Sequence, residues 1–182
     1  MVHIKKASIL IAIWIALFGV LFAGVIAVSD FAGVNYLFSE DVNDPIKITI
    51  PVIGVDTTIE NPIENDIATL DSALKEGAVR HPDSVRLGER GRMFVFGHSS
   101  SLTVVHNQNY RALNGLGDLK VGDSIFVESS EKEYEYIVDD VRLVDASEEY
   151  VTLEDTGYSL TLSTCNSFGA TQERFVVEAH RI

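Results

Sequence analysis

From Ala7 to Val28 the chain runs for 22 residues without one charged side chain. As a helix that stretch is about 33 Å long, enough to cross the hydrocarbon core of a bilayer, and few soluble folds could hide it. Lys5 and Lys6 stand directly before it. Positive residues favour the cytoplasmic side, so Met1–Lys6 is expected inside and residues 30–182 outside. A cleaved signal peptide is the competing reading, because Ala27-Val28-Ser29 offers small residues to a peptidase. The apolar run exceeds the roughly 7–15 residues of such leaders, which favours an uncleaved anchor. The expected organisation is a cytoplasmic end at 1–6, an anchor at 7–28, a linker or packed helical segment at 29–44, and one folded domain at 45–182.

Charge and cysteine content narrow the function of that domain. The formal net charge is −13, and Lys5 and Lys6 are the only charged residues before Asp30, so residues 30–182 carry −15. Nucleic-acid binding is disfavoured, since its affinity comes largely from Lys and Arg neutralising phosphates. Cys165 is the sole cysteine. It can form no internal disulfide, and in an exported domain it reads either as a reactive thiol or as a small buried apolar residue.

Hydrophobic periodicity gives a β-rich reading from residue 46 onward. Ile46, Ile48 and Ile50 alternate with polar neighbours as in a half-buried strand, and Pro51 marks its edge or bend. Asn65 or Asp66 is placed to cap a helix with Ile67, Leu70 and Leu74 on one face and Gly77 at its end. Met93–Phe96 between two glycines reads as a buried strand that delivers His98 to its end. Leu113, Leu116 and Leu119 suggest a helical turn. Further strands are expected at 124–128, 133–144, 158–164 and 174–180. No HExxH helix, CxxC pair or GxxxxGK[ST] loop occurs, so no metal or phosphate chemistry is indicated.

Three segments remain: Val95-Phe96-Gly97-His98, then Leu160-Thr161-Leu162-Ser163-Thr164-Cys165, and Arg174-Phe175-Val176-Val177-Glu178-Ala179. In this order, behind an N-terminal anchor, they resemble the sortase family. Residues 161–165 match its TLxTC signature, Arg174 matches its arginine nine residues later, and Gly97-His98 matches its histidine motif. Ile48–Val55 is similar to its first strand. Ser99, Ser100 and Ser101 follow the histidine where the family often has Arg or Asn.

The resemblance implies a mostly-β fold, a closed β-barrel of about eight strands with one or two short helices after a transmembrane helix. It implies a cysteine transpeptidase with Cys165 as nucleophile, His98 as general acid and base, Arg174 steadying oxyanion or substrate, and Thr164 lining the substrate groove. The chemistry agrees. A free thiol titrates near ~8.5 and needs help from a base or cation at neutral pH. The implied partners are proteins with an LPxTG-like sorting signal and an amine acceptor, a peptidoglycan precursor or a pilin lysine, met at the membrane. No cofactor is required, although some members bind calcium through acidic loops, for which Glu148, Glu149, Glu154 and Asp155 are candidates. His81, His106 and His180 are rivals to His98, and Arg174 has the alternative of a surface ion pair with Glu173 or Glu178. Two other functions stay open: another cysteine acyltransferase or peptidase, though the SxGC setting of L,D-transpeptidases is absent, and a catalytically silent tethered binding domain.

Overall fold

A computed structural model of the chain describes residues 41–145, 151–155, 157–165 and 173–182. The expected anchor at 7–28 lies outside these residues, as does most of the 29–44 segment. The strands are β1 (Lys47–Ile50), β2 (Val55–Glu60), β3 (Ala78–Arg80), β4 (Gly91–Gly97), β5 (Ser124–Glu128), β6 (Glu133–Asp145), β7 (Tyr158–Cys165) and β8 (Glu173–Arg181). They close into one barrel in the order β1-β2-β3-β4-β7-β8-β6-β5. The helix α1 (Ile67–Ala73) and 3₁₀ turns at Pro51–Ile53, Gln108–Arg111 and Leu116–Asp118 fill the connections.

Alternation along each strand selects the lining of the barrel. Ile48, Ile50, Met93, Val95, Ile125, Val127, Leu160, Leu162 and Val177 point inward and form one continuous core. Each such side chain contributes about 2 kcal/mol by leaving water. The strands β4 and β7 run parallel in the middle of the wall, with Gly91 opposite Tyr158 and Gly97 opposite Thr164. Strand β8 is antiparallel to β7 on its other side.

Three expectations change in detail. Asp66 does cap α1, accepting from the Ala68 and Thr69 amides. The helix, however, leaves Ile67 78% exposed and buries Ala73 instead. Gly77 does not end it, because the helix stops at Ala73 with Leu74 as its C-cap. Gly77 sits so close to β2 that a Cβ there would stand 2.7 Å from the Thr58 carbonyl oxygen. The leucine stripe is not one helical turn. Leu113 follows the 3₁₀ turn Gln108–Arg111, Leu116 opens the turn Leu116–Asp118 and Leu119 caps it, and all three are buried.

A buried ionic clamp holds the segment that leads into β1. Asp44 is 3% exposed and Arg80 2%. The Asp44 carboxylate accepts from Arg86 Nε at 2.8 Å and lies 3.8 Å from Arg80 Nη2. Arg80 also donates to Asn61 Oδ1 and to the Ser84 carbonyl. Asn61 in turn donates to the Pro45 carbonyl at 2.7 Å, and Leu87 N–H reaches the Asn43 carbonyl. Burial pulls the Arg80 pKa below its ordinary value, and Asp44 acts against that pull. Asp44→Asn strands a buried guanidinium, so it is expected to destabilise the fold by about 3 kcal/mol. Urea denaturation at neutral pH measures this, and adding Arg80→Met should restore part of the loss. An unchanged midpoint for Asp44→Asn would mean that the clamp is neutral.

Candidate active site

Strand register assembles the site. Gly97 on β4 is opposite Thr164 on β7, so His98 follows directly beyond that pair. Cys165, the last residue of β7, is opposite Arg174 near the start of β8. Three residues separated by up to 76 positions in sequence therefore meet at one end of three neighbouring strands. The strand period of two puts positions 161 and 163 on the outer phase of β7, opposite to the core residues Leu160 and Leu162.

His98 is half-buried and packs edge-on against Tyr110, with ring centroids 5.2 Å apart at 87°. Burial lowers its pKa below the usual 6.5, and Asp71 on α1 pulls weakly the other way. The imidazole is thus neutral at pH 7 and available as a base. Its backbone is held as well, since the Leu113 amide donates to the His98 carbonyl at 3.0 Å.

Thr164 is 4% exposed, and its hydroxyl donates to the Gly97 carbonyl at 2.8 Å. It braces the end of β7 to the end of β4, just before His98 and Cys165. It also lines a cavity of about 260 Å³ with Ser99–Ser101, Asn114, Leu116 and Phe175. Arg174 is exposed. The ion-pair alternative with Glu178 is not realised: that carboxylate accepts from Thr161 at 2.8 Å and pairs with Arg92 and Arg142.

The rival histidines sit elsewhere. His180 is bound to Asp139 at 2.8 Å, at the far end of β8 from Arg174. His81 stacks on Phe94 further down the outer wall, and His106 is exposed in the loop after β4. Among the acidic residues suggested for calcium, Glu148 and Glu149 lie outside the described residues. Asp155 accepts from the Gly157 amide, the Ser159 hydroxyl and Arg92, and these bonds hold its pKa down to about 2.

Sequence reasoning missed the outer wall between these residues. Phe96 pairs with Ser163 and Phe94 with Thr161 on one side, and Val176 and Glu178 flank the same two on the other. Phe94 and Phe96 contact each other at 5.5 Å. The result is an apolar track beside β7, leading away from position 165. Strict alternation in Arg92-Met93-Phe94-Val95-Phe96 was the available signal, since it sends two aromatic rings outward.

Comparison with known proteins places the fold in a known family. A family model described as a sortase domain matches residues 48–182. Among solved structures, a Clostridium perfringens sortase D5 transpeptidase is similar at 22% identity and a TM-score of 0.59, covering 79% of this chain and 83% of its own. Listeria monocytogenes sortase A gives 23% and 0.60, with 78% and 88% covered. Sortase C-1 from Actinomyces oris gives 26% and 0.59, with 81% and 77% covered. No curated protein matches the chain by sequence.

Proposed function

Since the chain belongs to the sortase family, whose members are transpeptidases, we propose that it cleaves an LPxTG-like sorting signal between Thr and Gly and passes the protein to an amine. The supporting observation is the register that sets His98, Cys165 and Arg174 at one end of β4, β7 and β8.

In this reading the neutral His98 imidazole takes the Cys165 thiol proton as sulfur attacks the threonine carbonyl carbon. The oxyanion that forms is steadied by the Arg174 guanidinium. Collapse breaks the Thr–Gly bond. The proton on His98 goes to the departing glycine nitrogen, leaving a thioester on Cys165. An acceptor amine then attacks the thioester, gives its proton to His98, and releases the thiolate, which recovers that proton. Donor side chains preceding the scissile bond rest on the partly exposed rings of Phe96 and Phe94, whose apolar character suits Leu and Pro. Thr164 keeps the groove end in shape from beneath and lines its inner side. The mechanism asks for no cofactor.

The uncharged run at 7–28 would hold the enzyme in the plane of the membrane with its catalytic domain outside. Substrates held at the same surface would meet it at raised effective concentration.

The test is incubation of the full-length protein in detergent with an LPxTG-like peptide and hydroxylamine, followed by mass spectrometry. The expected products are a peptide ending in threonine hydroxamate and a free fragment beginning with glycine. Hydrolysis without hydroxamate would point to a peptidase, and binding without cleavage would overturn the enzymatic reading.

A further inference from the structure

The catalytic end has an inner side that the proposed chemistry never touches. Cys165 pairs with Arg174, while the adjacent pair, Thr164 with Phe175, belongs to the barrel-facing phase of the same two strands. Phe175 there packs against the core and meets the 3₁₀ turn Leu116–Asp118. A Cβ built on Gly117 would stand 2.5 Å from Cε1 and Cζ of Phe175 and 2.9 Å from Cε2. The far edge of the ring therefore rests on bare backbone, closer than any side chain would permit.

The same short segment grips the strand that carries His98. The Leu113 side chain occupies the space beside Gly97, where a Cβ would lie 2.9 Å from Cγ, and its amide donates to the His98 carbonyl. Asn114 holds the chain just beyond. Its Oδ1 accepts from the Ser100 amide at 2.8 Å and its Nδ2 donates to the Ser100 carbonyl at 3.1 Å. Residues 113–118 thus touch both the histidine strand and the residue next to Arg174.

Resting on the roles given above to His98 and Arg174, we propose that Gly117, as the seat of Phe175, is a positioning residue that sets the place of Arg174 opposite Cys165. A methyl group at 117 needs about 3.5–4.0 Å to its carbon neighbours, so the ring must move by about 1 Å. Phe175 is bonded to Arg174, and the displacement passes to the guanidinium's attachment point. Groups aimed at a developing oxyanion lose their effect steeply with misplacement, by on the order of 10²-fold per ångström.

The experiment is a double-mutant cycle on the full-length protein, with kcat and KM measured for one LPxTG-like peptide and folding checked by circular dichroism. Gly117→Ala is expected to lower kcat/KM by about 10- to 100-fold when Arg174 is present. In the Arg174→Ala background it should change kcat/KM by less than about twofold, because the arginine it displaces is already gone. Equal losses in both backgrounds would mean general damage and overturn the proposal, as would a Gly117→Ala enzyme with wild-type kcat/KM. If Gly117→Ala fails to fold, Phe175→Leu, which removes the ring edge from its seat, is held to the same criterion. Wild-type kcat/KM for Arg174→Ala itself would overturn both this inference and the role of Arg174, leaving cleavage at Cys165 standing.

Discussion

Cys165→Ala is expected to abolish both cleavage and transfer of an LPxTG-like peptide, a fall of on the order of 10⁴-fold or more. The chain has no second thiol to form an acyl-enzyme. Position 165 is also the one place where β7 ends beside both His98 and Arg174. Cys165→Ser should be nearly as poor, because a hydroxyl ionises far less readily than a thiol and His98 alone is a modest base. The measurement is single-turnover cleavage by chromatography, with mass spectrometry searching the wild-type protein for a covalent adduct of the acyl half of the peptide. Substantial transfer by the alanine variant would remove the sortase mechanism from this chain.

His98→Ala should cut kcat by roughly 10² to 10⁴, since in the proposed mechanism one imidazole moves the proton in both half-reactions. The pH dependence carries a sign. Burial lowers the His98 pKa below 6.5, and in the proposed mechanism the neutral ring is the form that accepts the thiol proton. Activity should be present above that lowered value and be lost as the pH falls through it, so the acidic limb of kcat/KM lies below 6.5. The same shift adds a stability contribution that is complete above 6.5 and fades on acidification, because the unfolded chain binds the proton more readily. His98→Ala should flatten the acidic limb, whereas Arg174→Ala should leave it in place. An acidic limb unmoved in the His98 variant would assign that proton to another group.

The site was legible in the sequence to the extent that its chemistry is local. Period-two patterning reads Gly97-His98 as a strand end and places the thiol and the arginine where one strand stops and the next begins. It was the resemblance of their segments to the sortase family that grouped them, and only the register of β4, β7 and β8 sets them side by side. The barrel strands were readable by the same patterning, through Ile48-Thr49-Ile50 and its kind. What escaped notice depends on contacts between distant parts of the chain. Strand β3 has three residues, all buried, too few to show any period. Leu113 and Leu116 have helical spacing, yet Gly115 between them takes a left-handed conformation, φ 83°, and caps the start of a new turn. Gly117 looks like a turn glycine until Phe175 lies on it, 58 positions later in the chain. Asp44 and Arg80 each look like surface charges, and only the fold buries them together.

The clamp around Asp44 also fixes where a handle can be attached. Asp41–Asp44 docks against the loop before β4, and His98 follows the other end of that strand. Its seven residues put about 20 Å between the two. A bead, a resin or a fused carrier joined ahead of Asp41 would therefore sit a strand's length from His98 and leave the proposed groove open. Joining ahead of Ile46 instead would discard Asp44 and leave Arg80 in the interior without its carboxylate. Immobilised preparations should accordingly start their folded part no later than Asp41.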